Sequence, residues 1–192
     1  MMDMGPYYLT ALINLMGGVK GVTGVTKKSF AQRLITSKPK NGTVVEVDVP
    51  TYVTGMLHFE SGAVGTIFTT FDVYYPSQAR LEIYGSKGTL FVPDPNYFGG
   101  PVKLYRPEDG QVREIPLLFD YKENSRGLGL ADMAKAIEDG RAARCDYTQT
   151  RHVLEILTAF EKSSDAKAYY PLETKYVRHE PMKNNAMHGI LD

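Results

Sequence analysis

Apolar residues recur through the opening of the chain with the spacing of a packed helix. Leu9, Leu12, Ile13 and Met16 stand at i, i+3, i+4 and i+7, one stripe of a 3.6-residue period. Pro6 suits the opening turn, because its fixed φ and missing N–H cost nothing there, and Gly17-Gly18 supplies the stop. The period then changes to two. Val19–Lys27 alternates loosely and reads as a strand, and Thr43–Val49 sets Val45, Val47 and Val49 against Glu46 and Asp48, a half-buried strand. Thr51–Phe59 places Val53, Leu57 and Phe59 on one face and Tyr52, Met56 and His58 on the other. After the turn Glu60-Ser61-Gly62, Ala63–Phe71 returns as its partner. Two further hairpins are expected, Arg80–Tyr84 with Thr89–Val92, and Val102–Tyr105 with Val112–Ile115. Only 29–42 breaks the rhythm, with Arg33, Lys38, Pro39 and Lys40 among polar residues. It is expected to be a long loop, solvated or closing over a pocket as a lid.

Towards the C-terminus the period returns to that of a helix. Leu130, Met133, Ala134 and Ile137 share one face ahead of Gly140, and Val153, Ile156, Leu157 and Phe160 repeat the spacing. Successive hairpins between helices define an α+β fold, a largely antiparallel open sheet with helices on one face. The opposite face carries Tyr52, Met56 and Phe68, too apolar to leave in water, so it is expected to serve dimerisation. Residues 1–176 form this domain, and 177–192, without periodicity, read as a tail.

Composition narrows the partners. The 192 residues hold 22 basic and 22 acidic side chains, a net charge of zero. That argues against nucleic acid as a partner, since phosphate binding needs a basic surplus or a basic face. The same balance leaves little charge repulsion against a homodimer. Cys145 is the single cysteine, so no disulfide closes within the chain and a reducing compartment fits. No stretch approaches the length of a membrane span and no basic-plus-apolar leader opens the sequence. The expected location is cytoplasmic, without a membrane partner.

The chemistry concentrates at the start. Asp3-Met4-Gly5-Pro6-Tyr7-Tyr8-Leu9 puts a carboxylate and a phenol four positions apart at the mouth of the first helix, where the positive dipole end favours an anion. Taken as isolated residues, Asp3 reads as a cap and Tyr7 as a packing side chain. The run resembles the D-x-G-x-[HY] motif that opens the C-terminal domain of Gfo/Idh/MocA oxidoreductases, in the form carrying Tyr rather than His. The order of elements extends the resemblance to about Pro171.

Several expectations follow from that resemblance. Tyr7 is the acid/base beside a substrate hydroxyl and Asp3 orients it, whereas Tyr8 packs. The substrate is a sugar, an inositol or a related polyol. Asn124 and Arg126, in the polar run Tyr121–Gly127, are substrate-binding; read without the resemblance, that run is equally a capping loop. NAD or NADP serves the complete enzyme, held by an N-terminal Rossmann domain expected to be absent from this chain. No G-x-G-x-x-G lies between a strand and a helix here; the cluster Gly17, Gly18, Gly21, Gly24 follows a helix, and Gly127-Leu128-Gly129 lacks a preceding strand. The chain alone is therefore expected to bind no cofactor and to be inactive. A phenol works as acid/base only when a cation lowers its pKa from near 10, and the family's cation, a lysine, belongs to the missing half. The alternative is a non-enzymatic dimerisation or ligand-binding module left by a split or truncated gene. His58, His152, His179 and His188 show no metal-ligand spacing; His152 reads as a surface or partly packed residue, His58 as structural. No metal site is expected, and no G-x-S-x-G elbow suggests a serine hydrolase.

Overall fold

The structure, a computed structural model, describes residues 1–74, 81–119, 121–183 and 191. Helix α1 spans Gly5–Met16 and strand β1 Val19–Lys27; a small hairpin of β2 (Gln32–Leu34) and β3 (Val44–Glu46) follows. Next come β4 (Tyr52–Phe59), β5 (Val64–Thr70), β6 (Glu82–Gly85), β7 (Gly88–Phe91), β8 (Val102–Tyr105) and β9 (Val112–Ile115). Helices α2 (Leu128–Asp139) and α3 (Tyr147–Ala166) precede a two-residue strand β10, Tyr170–Pro171. The described strand pairs are antiparallel, in open sheets, so the α+β expectation holds. The chain divides into two compact units, Met1–Tyr75 with Thr148–Arg178, and Pro76–Tyr147 with His179–Asp192.

In the first unit the sheet order is β10-β1-β4-β5, and α1 and α3 cover one face. The alternation read from β4 is realised: Val53, Leu57 and Phe59 are buried, whereas Met56 is exposed and Tyr52 and His58 are half-buried. Leu9 and Ile13 of α1, and Val153, Ile156, Leu157 and Phe160 of α3, complete the core. Burying each of the larger side chains is worth about 1.5–3 kcal/mol. A floor of two glycines makes the closest approach possible. Gly24 and Gly55 are register partners, and the ring of fully buried Phe160 lies on them. A Cβ on Gly24 would meet Phe160 Cδ1 at 2.6 Å, and one on Gly55 would collide with the Thr23 carbonyl and lie 2.8 Å from Phe160 Cε1.

Polar groups stitch this unit where the sheet leaves donors open. Strand β10 pairs only with Gly21 and Val22, so the amides further along β1 need other partners. The hydroxyls of Ser163 and Ser164 on α3 accept from the Gly24 and Thr26 N–H groups, both at 3.0 Å. His152, expected at or near the surface, is instead fully buried. The Val19 N–H donates to its Nε2 at 3.0 Å, so Nδ1 carries the proton and donates to Thr174 Oγ1 at 2.7 Å. The Thr174 hydroxyl in turn donates to the Glu155 carboxylate, which also accepts from the Glu173 and Thr174 amides. Close by, Gln149, Asn14 and Tyr176 bond to one another and tie α3, α1 and the chain after β10 together.

Two expectations are corrected here. The long loop at 29–42 holds β2, which pairs with β3 through Gln32↔Glu46, Arg33↔Val45 and Leu34↔Val44. The half-buried strand expected over Thr43–Val49 shortens to three exposed residues, because its sole partner among the described residues is β2 and the residues of both strands are exposed.

The second unit carries the meander β6-β7-β8-β9, with Gly85 opposite Gly88 across the Ser86-Lys87 turn. Both hairpins form as expected, although Arg80 lies outside the described residues. The face of α2 departs from expectation. Leu130, Met133 and Ile137 are 71%, 47% and 77% exposed, and the buried positions are Asp132 and Ala136. Asp132 sets the rotation: its carboxylate accepts from Arg141 Nη2 at 2.8 Å, the Arg144 amide at 2.8 Å and Arg144 Nη1 at 2.5 Å, so it turns inward in place of the leucine stripe. The segment expected as a tail is tied at its start, with Arg178 donating to the Asn14 carbonyl and His179 pairing with Asp146. His188 lies outside the described residues.

Adding one methyl to the glycine floor overpacks the core, so Gly55→Ala should cost about 1–3 kcal/mol or more. The denaturant midpoint checks this, and an unchanged midpoint contradicts it. A pH effect follows from the His152 chain. Burial holds the His152 pKa below its ordinary value, so the unfolded chain binds the extra proton more readily below about pH 6.5. This stability is complete above that pH and is lost as pH falls. Glu155 acts in the same sense at lower pH: burial would raise its pKa, but the Thr174 and Glu173 hydrogen bonds outweigh it and hold it low. Melting temperature should drop between pH 7.5 and 5, with a shallower slope in His152→Gln; an equal slope contradicts the assignment.

Candidate functional site

Helix α1 begins with Pro in its first turn, and Leu9 and Ile13 lock one side of it into the core. Gly5 lets its first turn press against α3, since a Cβ there would meet Leu157 Cδ2 at 2.8 Å. Tyr7 stands two residues, about 200° of helical rotation, from Leu9 and therefore faces away from the core. It is 45% exposed, whereas Tyr8 is half-buried. Asp3 is exposed, two residues ahead of the helix, and no side chain caps α1. Among the described residues neither the Asp3 carboxylate nor the Tyr7 hydroxyl has a hydrogen-bond partner. The first unit thus displays an acid and a phenol, both solvated, at the mouth of a helix fixed from behind.

Asn124 and Arg126 lie in the second unit, where they line an open cleft of about 650 Å³. Asn96, Tyr97 and Phe98 form part of its wall, with Lys122 and Glu123 beside the expected pair. Its shape depends on Gly99: a Cβ there would sit 2.9 Å from both the Lys122 Cβ and its carbonyl oxygen. Gly100 adopts φ 127, a conformation that favours glycine. Amide, phenol and cationic groups in one cleft can bond hydroxyl or carboxylate oxygens. The run Pro93-Asp94-Pro95-Asn96-Tyr97-Phe98-Gly99-Gly100 was not read from the sequence as part of a site. Its signal is the proline and glycine punctuation of a built turn.

The predicted site residues therefore fall into two pairs, Asp3 with Tyr7 in the first unit and Asn124 with Arg126 in the second. Among the described residues no group of three or more His, Cys, Asp or Glu side chains could hold a metal ion. His58 is engaged with Thr23 Oγ1 at 3.3 Å and packs edge-on against Tyr169. No helix among the described residues is long and apolar enough to cross a membrane.

Comparison with known proteins agrees with the motif and the fold. The family model described as the GFO/IDH/MocA C-terminal domain matches residues 1–91. That stretch holds α1, its opening motif and the strands through β7, and it is similar to the C-terminal domain of the Gfo/Idh/MocA type. No curated protein sequence matches the chain. Among solved structures, apo levoglucosan dehydrogenase superposes with a TM-score of 0.71 at 18% identity, covering 91% of this chain and 51% of that one. An aldose-aldose oxidoreductase from Caulobacter crescentus, complexed with glycerol, gives a TM-score of 0.66 at 21% identity, covering 89% and 47%. An NAD binding oxidoreductase from Klebsiella pneumoniae gives 0.67 at 20%, covering 88% and 49%. At these identities the likeness is one of fold, and the chain spans about half the length of the structures it matches.

The motif's glycine and tyrosine should separate in a stability measurement. Tyr7→Phe removes a hydroxyl without a partner and should stay within about 0.5 kcal/mol of the parent. Gly5→Ala forces α1 away from Leu157 and should cost about 1–3 kcal/mol. Thermal unfolding of both variants checks this, and a destabilised Tyr7→Phe contradicts the exposed placement.

Proposed function

We propose that this chain is the substrate-binding, catalytic-residue-bearing and dimerising C-terminal domain of an NAD(P)-dependent oxidoreductase acting on a sugar, an inositol or a related polyol. The observation that carries the reading is the Asp3-x-Gly5-x-Tyr7 motif, held at the solvent-facing mouth of a helix whose other side is locked into the core. Levoglucosan dehydrogenase, which shares the fold, has been solved with NADH and L-sorbose and with NADH and levoglucosan. The Caulobacter crescentus enzyme was complexed with glycerol.

The residues described do not fit a dinucleotide. Gly17 to Gly24 is a helix stop followed by an antiparallel strand, and Gly127 and Gly129 open α2 after a segment that is not a strand. Nicotinamide chemistry, the transfer of hydride, falls to the part of the whole protein that binds the nucleotide. This chain's share is the proton and the polyol. The Tyr7 hydroxyl exchanges a proton with the reacting substrate oxygen, and Asp3 accepts a hydrogen bond that orients the neighbouring hydroxyl. Within the second unit's own cleft, Asn124 and Arg126 offer an amide and a guanidinium suited to polyol oxygens.

The outer face of the first unit's sheet supports self-association. Val25, Met56, Val64 and Phe68 are all exposed on it, opposite the helix-covered side, and a homodimer would cover them. Free, exposed Cys145 suits a cytoplasmic location.

In the complete enzyme Tyr7→Phe should lower kcat by about 10²–10⁴-fold, the worth of a positioned proton-transfer group. KM should change less, because the ring still shapes the site. Asp3→Asn should slow turnover by a smaller factor, and Tyr8→Phe should be nearly neutral. Steady-state kinetics with a polyol substrate make the comparison, and wild-type turnover in Tyr7→Phe rejects the proton-transfer role. A catalytically silent whole protein favours the non-enzymatic ligand-binding module instead.

A further inference from the structure

We infer that the β2–β3 hairpin is a clasp that grips a second copy of this chain, an arm extending the contact made by the outer sheet face. This rests on the self-association proposed above and adds to it a segment and a geometry. The hairpin leaves the sheet after Lys27 and re-enters it at Tyr52, two residues that face each other at one end of the β1–β4 ladder. Its base is anchored beside the last rung of β5. Arg33 Nη1 donates to the Phe71 carbonyl at 2.8 Å and lies 3.7 Å from Asp72, and the Ser29 amide donates to Thr51 Oγ1 at 3.3 Å. Between Lys28 and Val49 only Ile35 and Val47 are even half-buried.

Such an arm cannot justify its own order. A two-stranded hairpin in water is marginal without a face to bury, yet this one is built, with the Val47 amide on the Ala31 carbonyl, the Ile35 amide on the Thr43 carbonyl, and a Gln32–Glu46 side-chain bond. Leu34 and Val44 are register partners, 58% and 57% exposed, and Phe30, just ahead of β2, is 52% exposed. By strand alternation Leu34 and Val44 stand opposite to Arg33, which holds the other face to the body.

Area points to a second copy as the occupant. The strands β1, β4 and β5, nine, eight and seven residues long, present a flat footprint of roughly 400 Å² at ~3.3 Å per residue and ~4.8 Å per strand. A standard interface takes about 800 Å² from each partner. The sheet face supplies about half of that, and the arm, continuous with it, supplies the apolar surface for the rest. Zero net charge leaves the approach of two identical chains unopposed.

Sedimentation velocity on the 192-residue chain, across a concentration series, tests the clasp with two variants. Leu34→Asp with Val44→Asp strips the arm, and Phe68→Glu breaks the sheet face; both leave the core untouched, which the melting temperature verifies. The expected result is a wild-type dimer whose dissociation constant rises at least tenfold in the arm variant. A dimer that Phe68→Glu dissociates and the arm variant does not overturns the clasp and leaves the sheet-face reading standing. The reverse pattern supports the clasp and removes the sheet face. A wild-type monomer at tens of micromolar overturns both. Hydrogen exchange gives a second readout: protection at Gln32–Leu34 and Val44–Glu46 should grow with protein concentration, and protection independent of concentration rejects the clasp.

Discussion

The seating of Phe160 on the Gly24–Gly55 pair is the contact from which the arrangement of the first unit follows. Two glycines side by side bring α3 closer to the sheet than any side chain would allow. With α3 at that depth, Leu157 meets Gly5, and α1 is held by its glycine as well as by Leu9 and Ile13. Tyr7 is then turned outward by geometry alone. The candidate acid/base owes its exposure to packing on the far side of its own helix, so a defect in the core near Phe160 would be felt at the mouth of α1.

Hydrogen bonds fix the direction of that packing, which apolar burial alone would leave free to slide. Strand β10 is too short to satisfy the outer edge of β1, and the serines of α3 take its place with hydroxyls at the right rise. The chain Val19–His152–Thr174–Glu155 does the same at the other end of the helix, joining strand, helix and the returning segment through fully buried imidazole. An unpaired polar group at such depth is costly, so these contacts specify one register. Nothing comparable holds the β2–β3 arm, which is ordered by its own ladder and by a few bonds at its base. The consequence is a hairpin held at its base, with Leu34 and Val44 exposed along its paired strands.

How far the sequence disclosed this varies with how local the cause is. Helix α1, the alternation in β4 and the hairpins β4–β5, β6–β7 and β8–β9 were legible because each writes its own period and its own turn residues. The face of α2 was not, because Arg141 and Arg144 beyond the helix capture Asp132, and periodicity counts leucines without seeing a carboxylate's partners. His152 stands three after buried Gln149 and four before buried Ile156, on the buried face of α3, and its polarity kept it out of the apolar stripe. Of the arm, β3 lay within the strand expected over Thr43–Val49, but β2 escaped notice for the opposite reason, since a strand with no buried face leaves no hydrophobic pattern. Asp3 and Tyr7 were singled out by a motif, and Asn124 with Arg126 by the family resemblance of the polar run around them. Asn96 and Tyr97 reach the same cleft only because Gly99 admits the Lys122 segment, a tertiary fact.

The central claim is that the mouth of α1 meets the polyol. Amide chemical shifts of the isotopically labelled chain, followed while L-sorbose and other polyols are titrated in, test it most directly. Saturable shifts at Met4–Leu9 are the predicted result. Saturable binding that leaves the amides of Met4–Leu9 unmoved would contradict the account.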